Sequence, residues 1–324
     1  MGRPIGVLMG GWGEERDVSI KTGQGIAAAL EAGGHPVTRI LAGPGLDVAL
    51  RTAQVGVALL ALHGRMGEDG KVQGLLEVMG IPYTGSGVTA SALAMNKPMA
   101  KKVFRYHNLP TPAGYTAGEG EARDPLARHG DLGFPCIAKP SSGGSTVGVT
   151  VVKGAEELGP AIAEARRYGG EALVERLHRG RELTVGILGD EVLGSCEIAY
   201  PGDTFDYAHK YQGGSRYSVP PRLLATRIAN VEAMALAAYR ALGCRGYGRV
   251  DVIASEEDND VILEVNTLPG MTPTSLLPKI GKARGLTYQD LVERILALAA
   301  HEDVRVRPAR ARRVAAPSPR KATG

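Results

Sequence analysis

The sequence predicts an N-terminal α/β domain with a parallel sheet, followed by α+β units. Strand and helix patterns alternate through residues 1–95, which is typical of a parallel sheet covered by helices. Beyond that point the order changes to strand, loop, strand and helix. The 324 residues also exceed the size at which a single hydrophobic core usually keeps growing. With 44% hydrophobic and 22% charged residues, the composition is that of an ordinary globular protein, and we expect two or three domains.

The first region alternates buried strands with helices that are followed by glycines. We predict strands at 5–9 and 55–62 and helices at 18–30 and 72–79. Ligands of parallel sheets gather beyond the carboxyl ends of the strands. Glycine-rich, charged segments follow the predicted strands at 10–15 and 63–68. We therefore expect these two segments to form a binding edge.

A glycine pattern at residues 85–90, G-S-G-V-T-A, matches the turn of dinucleotide-binding domains. Such a site also requires an acidic residue about 20 residues further on. Residues 104–114 contain no acidic residue. We therefore interpret the pattern as a tight turn from a short strand into a helix.

The rest of the chain contains shorter elements in an α+β order. We predict helices at 96–106, 156–168, 223–242 and 288–300, and strands at 134–139, 147–152, 172–176, 183–188 and 192–198. An irregular loop is predicted at 200–221.

The segment 246–276 has the clearest chemical signal. Two β-branched runs flank a polar stretch, which indicates a hairpin with a longer loop. If the turn is centred on that stretch, Asp251 lies opposite Glu264. Arg249 then lies opposite Asn266, and all four side chains share one face.

Directly opposed side chains in a hairpin are about 4.5–5.5 Å apart at Cβ, and like charges there are destabilising. Two facing carboxylates therefore need a cation between them. Oxygen ligands suit Mg²⁺, which usually keeps positions for substrate phosphates. We predict Asp251, Glu264 and Asn266 as its ligands. The alternative is an exposed acidic pair on a solvated strand face.

Residues 139–148, KPSSGGSTVG, resemble a phosphate-binding loop. Glycines let backbone N–H groups approach an anion, hydroxyls add donors, and Lys139 supplies charge. The segment is not a Walker A loop, because no GK[ST] follows and the next element is a strand. A flexible hairpin tip is the alternative.

Other charged residues are candidates only in combination. Lys97 and Lys210 are further cations for phosphates, although a lone lysine is usually a solvated surface residue. Glu175 and Glu182 lie where two strands meet, in a position to recognise an adenine amine and ribose hydroxyls. The alternative is that Glu175 and Glu182 are ordinary surface acids.

The charge and the cysteine content limit which partners and which compartment we expect. The tail 305–324 contains seven basic residues and no acid, so the formal charge of +4 leaves −3 for the rest of the chain. We expect the tail to be disordered and the body not to bind nucleic acid. The cysteines Cys136, Cys196 and Cys244 are widely spaced, which is typical of a reducing compartment. The N-terminus has no signal-peptide pattern, and no apolar run approaches the ~20 residues that span a bilayer, so we expect a cytoplasmic protein without a membrane partner.

Six motifs, taken together and in order, identify a family resemblance. They are GGWGEERDVS (10–19), ALHGRMGEDG (61–70), PYTGSGVTASALAMNK (82–97), KPSSGGSTVGV (139–149), GYGRVDV (246–252) and LEVNTLPGMTPTSL (263–276). On these motifs the chain resembles the D-alanine–D-alanine ligases of the ATP-grasp superfamily, to about residue 303.

The resemblance implies a three-domain ATP-grasp architecture that grips ATP between its central and C-terminal domains. The boundaries would be 1–95 for the N-terminal domain, 96–178 for the central domain, 179–304 for the C-terminal domain and 305–324 for the tail. A homodimer and the small-molecule substrates D-alanine and ATP are also implied. The expected reaction joins two D-alanine molecules through an acyl phosphate, for peptidoglycan precursors.

The resemblance also implies roles for individual residues on the nucleotide side. ATP would be contacted by Lys97, Lys139, Glu175, Leu177, Glu182 and Lys210. Two Mg²⁺ ions, or Mn²⁺, would be held by Asp251, Glu264 and Asn266.

On the amino-acid side, the resemblance places the ammonium of the first D-alanine at Glu15, with His63 nearby. The carboxylate of the second D-alanine would be held by Ser275 and Leu276. Ser145 and Tyr211 would join Glu15 in a hydrogen-bond network that closes the loop 200–221. The Arg249 guanidinium and the Gly270 N–H would stabilise the oxyanion.

Small departures from the family pattern leave alternatives. Gly13 stands where the family usually has serine, and Thr146 replaces a second serine but keeps its hydroxyl. Relatives that use D-lactate tend to have histidine at the position of Tyr211, and His209 is close by in sequence. The alternatives are therefore a ligase that uses D-lactate or D-serine as second substrate and an inactive nucleotide-binding regulator. Nucleic-acid binding through the tail is a third alternative.

Overall fold

Three β-sheets organise the part of the chain that the computed structural model describes, namely residues 3–12, 15–144, 147–200, 215–256 and 258–301. The strands are β1 (Ile5–Gly10), β2 (Val37–Ala42), β3 (Val57–Leu60), β4 (Gly114–Ala117), β5 (Cys136–Pro140), β6 (Thr150–Val152), β7 (Ala172–Arg176), β8 (Gly180–Leu188), β9 (Glu191–Ala199), β10 (Arg216–Ser218), β11 (Tyr247–Ser255) and β12 (Val261–Asn266). The helices are α1 (Arg16–Ala32), α2 (Leu46–Thr52), α3 (Lys71–Met79), α4 (Val88–Met95), α5 (Lys97–Tyr106), α6 (Glu119–Arg123), α7 (Ala155–Gly169), α8 (Ala225–Ala241), α9 (Leu276–Ala283) and α10 (Tyr288–Ala297). The predicted tail lies outside the described residues.

The N-terminal sheet has the order β2-β1-β3, and both strand pairs are parallel. This confirms the predicted parallel sheet. Strand β2 and helix α2 were not expected from the sequence. Because β2 is an edge strand, its burial is mixed and Leu41 is exposed, so it lacks the continuous apolar run of a buried strand. Residues 85–90 lead into α4 with Gly85 at a φ of +89°, as the turn interpretation predicts.

The central sheet has the order β4-β7-β5-β6 and is antiparallel throughout. Helix α7 packs its apolar residues, among them Leu158 and Ile162, against this sheet in a small separate core. Strands β5 and β7 are antiparallel with Lys139 opposite Leu173, so Lys139 and Glu175 lie two positions apart across the pair and on the same face. Strand β4 is short and only half-buried, and the sequence gives no pattern for it.

The C-terminal sheet has the order β10-β9-β8-β11-β12 and is also antiparallel. Strand β11 alternates strictly: Val250 and Val252 are buried in the core beneath α8, whereas Arg249 and Asp251 point to the other face. That other face carries the chemistry.

The helices connect the three sheets. Helix α5 falls within the predicted central domain, yet its Ala100 and Phe104 pack into the core of the C-terminal sheet. Helices α9 and α10 contribute residues such as Ile280 and Ile295 to the core of the N-terminal sheet. Helices assigned to one predicted domain thus pack into the core of another, and the predicted domain boundaries stay a prediction. Across the described ranges, no helix combines the length and the apolar character that crossing a bilayer requires.

Candidate active site

A cleft of about 440 Å³ lies between the three sheets. Most of the predicted site residues line it, namely Glu15, His63, Lys97, Lys139, Glu182, Arg249, Asp251, Glu264, Asn266, Gly270 and Leu276. Glu175, Leu177 and Ser275 lie outside the lining. Ser145, Lys210 and Tyr211 lie outside the described residues, so their predicted roles stay predictions.

The hairpin β11–β12 has the predicted register at the site. Arg249 pairs with Asn266 and Asp251 pairs with Glu264. The register then shifts by one residue, so that Val252 faces Ile262 and the pairing expected nearer the tip is wrong by one position. Bulges of this kind are common next to active sites, where they redirect side chains.

The two facing carboxylates are held by cations of the protein itself. Asp251 accepts hydrogen bonds from Arg249 Nε and Nη2, both at 2.9 Å, and also from Thr184 Oγ1 at 2.7 Å and Asn266 Nδ2 at 3.0 Å. Glu264 pairs with Lys97 Nζ at 2.9 Å. Burial opposes ionisation of Glu264, but Lys97 and Lys139 outweigh it and hold its pKa below the usual range. Asp251 is buried, so the alternative of a solvated acidic pair is wrong.

The donor set on this face fits a hard cation. Within the described residues no group of three or more His, Cys, Asp or Glu side chains is arranged to hold a metal. The hairpin instead offers two carboxylates and one amide, all directed into the cleft. Such an incomplete oxygen set suits Mg²⁺, which takes its remaining ligands from phosphates and water.

Lys97 joins the hairpin to the glycine-rich loop. Asn96 caps α5 by accepting a hydrogen bond from the Met99 N–H, which places Lys97 in the first turn. Its Nζ donates to the Gly143 carbonyl at 2.7 Å while it pairs with Glu264. Although burial disfavours its charge, Glu264 raises the pKa of Lys97. The lysine is therefore a fixed cation at the centre of the cleft.

Lys139 is held from behind by a buried carboxylate. Its ammonium pairs with Glu175, which is 1% exposed and also pairs with Lys101 at 2.8 Å. The interpretation of Glu175 as an ordinary surface acid is therefore wrong. The Glu175 side chain lies behind the wall of the cleft. Glu182 does line the cleft and accepts a hydrogen bond from the Tyr200 hydroxyl at 3.1 Å.

Lys101 was missed by the sequence reasoning. It is 2% exposed, and its Nζ also donates to Thr111 Oγ1 at 2.7 Å and to the Pro112 carbonyl at 3.2 Å. Burial lowers its pKa to about 8. The available signal was its spacing of four residues from Lys97, which places both lysines on one face of α5.

The loops after β1 and β3 meet at Glu15, as the predicted binding edge requires. A Cβ added at Gly64 would lie 2.5 Å from Glu15 Oε2, and Gly64 has a φ of +63°. A Cβ added at Gly144 would lie 3.6 Å from the same oxygen. Glycine at these positions therefore lets the carboxylate approach two backbone segments.

A second carboxylate, Glu68, also lines this part of the cleft and was not predicted. Burial raises its pKa to about 7. It accepts hydrogen bonds from the N–H groups of Gly64 at 2.7 Å and Leu268 at 3.2 Å. Burial lowers the pKa of the neighbouring His63, whose Nδ1 lies 3.1 Å from the Leu268 carbonyl.

Gly270 lies at the end of the cleft, four residues after Asn266. The Ser275 hydroxyl accepts a hydrogen bond from the Thr272 N–H at 3.1 Å, and a Cβ added at Gly270 would lie 3.1 Å from that hydroxyl oxygen. Helix α9 starts at Leu276. The Gly270 N–H, which is the predicted oxyanion donor, therefore lies next to the start of α9, where the second carboxylate is predicted to bind.

The chain is similar to known proteins over most of its length. The family model "D-ala D-ala ligase C-terminus" matches residues 118–297, and "D-ala D-ala ligase N-terminus" matches residues 42–86. A curated D-alanine–D-alanine ligase from an Anaeromyxobacter species is 48% identical over 296 residues, which cover 91% of this chain and 96% of the relative.

Two solved structures from Bacillus anthracis are also similar. A D-alanine–D-alanine ligase has a TM-score of 0.82 at 37% identity, covering 92% of this chain and 97% of the other. A structure of such a ligase complexed with ATP has a TM-score of 0.81 at 34% identity, with the same coverage of 92% and 97%.

Proposed function

The chain belongs to the D-alanine–D-alanine ligase family, and from this premise we propose that it joins two D-alanine molecules at the expense of ATP. The product would be D-alanyl-D-alanine for peptidoglycan precursors, formed through an acyl phosphate. One observation carries the proposal: Arg249, Asp251, Glu264 and Asn266 face one cleft together with Lys97 and Lys139. That set can neutralise a polyphosphate and bind a carboxylate side by side.

The first step transfers the γ-phosphoryl group of ATP to the carboxylate of the first D-alanine. Phosphoryl transfer depends mainly on positioning and charge neutralisation. Lys97 and Lys139 both line the cleft and supply positive charge there, Lys97 while paired with Glu264 and Lys139 while paired with the buried Glu175. Asp251, Glu264 and Asn266 would hold two Mg²⁺ ions, or Mn²⁺, which neutralise phosphate charge when bound.

Glu15 orients the first D-alanine by pairing with its ammonium group. The carboxylate of that substrate would then be directed toward the hairpin, whose Arg249 lines the same cleft. Glu182 would accept hydrogen bonds from the ribose, and Leu177 and Glu175 would contribute to the adenine side. Ser145, Lys210 and Tyr211 keep the roles in loop closure and phosphate binding that the resemblance implies.

The second step is attack by the amine of the second D-alanine on the acyl phosphate. The carbonyl oxygen then becomes a tetrahedral oxyanion. Arg249 uses Nε and Nη2 for Asp251, which leaves the Nη1 edge for the oxyanion. The Gly270 N–H is the second donor, and one such donor is worth about 10²–10³ in turnover. Ser275 and the start of α9 at Leu276 would hold the second carboxylate.

The proposal extends to the setting of the enzyme. We place it in the cytoplasm, where ATP is available, because its three cysteines are free. We also propose a homodimer, as the family resemblance implies, with small molecules as the substrates of the cleft.

The test is release of phosphate from ATP and Mg²⁺ with each candidate acid in turn. D-alanine alone should support release and yield the dipeptide. Activity only with added D-lactate or D-serine would overturn the choice of second substrate. Nucleotide binding without any phosphate release would favour the inactive regulator instead.

A further inference from the structure

Leu268 is held at both of its backbone polar groups by side chains from the loop after β3. Its N–H donates to Glu68 Oε1 at 3.2 Å, and its carbonyl lies 3.1 Å from His63 Nδ1. The Leu268 side chain is 2% exposed, and a Cβ added at Gly85 would lie 2.9 Å from its Cδ2 atom. The position of this one residue is therefore fixed from three directions.

The contacts of His63 suit a residue that holds its neighbours in place rather than one that takes part in the reaction. A carbonyl oxygen only accepts, so the Nδ1 atom carries the proton in the contact with Leu268. The other ring nitrogen, Nε2, lies 3.2 Å from Thr22 Oγ1. Burial lowers the pKa of His63, so the ring is neutral and the Thr22 hydroxyl donates to Nε2. Both ring nitrogens are thus engaged by the protein.

Glu68 uses both carboxylate oxygens on backbone groups. Oε2 accepts from the Gly64 N–H at 2.7 Å while Oε1 accepts from Leu268. The ionised group accepts both bonds as a carboxylate, whereas the protonated carboxyl carries one O–H donor and is the weaker acceptor of the two states. Because burial raises its pKa to about 7, Glu68 changes between these states near neutral pH.

We propose that Glu68 and His63 are positioning residues that set the place of the Gly270 N–H by holding the Leu268 peptide. Leu268 lies midway between Asn266, at the end of β12, and Gly270. The held peptide therefore fixes the distance between the phosphate-binding face and the oxyanion donor. A misplacement of about 1 Å in such a group can cost on the order of 10²-fold in rate.

This inference rests on the proposed function, because only the second of its two steps passes through a tetrahedral oxyanion. The first step can be followed separately. Reversible phosphoryl transfer scrambles an ¹⁸O label from the β,γ-bridge of ATP in the presence of D-alanine, whether or not dipeptide forms.

The experiment compares Glu68→Ala and Glu68→Gln with the wild-type enzyme in both assays. In Glu68→Ala we expect dipeptide formation to fall on the order of 10²-fold, with isotope exchange within about 3-fold of wild type. In Glu68→Gln the amide oxygen still accepts from Leu268, so dipeptide formation should fall less than about 10-fold. As the pH falls through about 7, wild-type dipeptide formation should decline more steeply than that of Glu68→Gln, because Glu68 becomes protonated in addition to the attacking amine.

Asp69→Asn is the matched control on the same loop. Its carboxylate accepts from the N–H groups of Met66 at 3.0 Å and Lys71 at 3.2 Å, not from Leu268. We expect both assays to stay within about 2-fold of wild type, because neither Met66 nor Lys71 lines the cleft.

Three results would overturn the inference. If Glu68→Gln were as inactive as Glu68→Ala, the charge of Glu68 would act on the substrate directly. If isotope exchange fell in parallel with dipeptide formation, the loss would not be confined to the oxyanion step. If the wild-type enzyme formed no dipeptide and showed no exchange, the proposed function itself would be wrong. This outcome is seen in the wild-type enzyme, so it can be distinguished from a loss of activity that is confined to the variants.

Discussion

Replacing Lys101 with methionine tests whether a buried pair behind the cleft supports both stability and ATP binding. The change removes the ammonium but keeps an unbranched side chain of similar length. Glu175 is then left with Lys139 as its cation, and Thr111 and Pro112 lose a donor. Breaking a buried ion pair by removing one partner costs roughly 3–5 kcal/mol. Because Lys139 still pairs with Glu175 in the variant, we expect a loss of stability at the lower end of this range, about 3 kcal/mol.

This free energy converts into a measurable shift in Tm. The entropy of unfolding is about 2.1 cal/mol/K per residue, or roughly 0.7 kcal/mol/K for a chain of this length, so Tm should fall by about 4–5 °C. Calorimetry without nucleotide measures the shift. Lys102→Met is the control, because Lys102 is the exposed neighbour on the same helix. A Tm for Lys101→Met within 1 °C of that control would refute the reasoning.

Two further readouts separate charge from packing. Glu175 should hold Lys139 more tightly in the variant, so KM for ATP should rise about 5-fold while Lys102→Met leaves it unchanged. The pKa of Lys101 is about 8 when folded, lowered by burial, against about 10.4 when unfolded. Between these values the unfolded chain binds more protons, so wild-type stability should rise with pH relative to the variant. A stability difference that stays constant from pH 8 to 10.5 would contradict the assignment.

Three other outcomes follow from the site. Asp251→Asn should lose most turnover at limiting Mg²⁺, and a wild-type rate in a phosphate-release titration would contradict the metal assignment. Gly64→Ala should raise KM for D-alanine at least 10-fold, because its Cβ would meet Glu15; Gly80→Ala, which has a φ of +66° but no neighbour within 4 Å, is the matched control. Should both alanine variants give the same KM, general backbone strain would explain the effect. Deleting residues 305–324 should leave ligase activity unchanged, and a loss of activity that nucleic acid restores would instead support the tail alternative.

The hairpin could be predicted in detail because alternation and a single turn decide which side chains share a face. Arg249 and Asp251 needed only the period of a strand. The register beyond Asp251 could not be predicted, because a bulge depends on packing in three dimensions and not on the pattern of either strand. Strand β2 was missed for a related reason, since half of an edge strand faces solvent.

Two buried charged residues, Glu68 and Lys101, could not be identified from the local sequence pattern. A lone acid or lysine is usually solvated, so Glu68 and Lys101 gave no signal by themselves. Their burial comes from partners far along the chain: Glu68 contacts Leu268, 200 residues away, and Lys101 contacts Glu175. Only the fold brings these groups together, whereas the family resemblance was enough to find most residues that line the cleft.

Within the part of the chain that the structure describes, three cations that line the cleft are each paired with an acid, and this has a consequence for how nucleotide would enter. Lys97, Lys139 and Arg249 already neutralise Glu264, Glu175 and Asp251. If a phosphate binds Lys97 as proposed, Glu264 loses its partner and would be available to the Mg²⁺ that accompanies the phosphate. Loading then resembles ion exchange, in which partners change while the total charge of the cleft stays nearly constant. Metal-free ATP would bring no cation for the released carboxylate, so on the proposed assignment we expect the cleft to favour ATP that carries Mg²⁺.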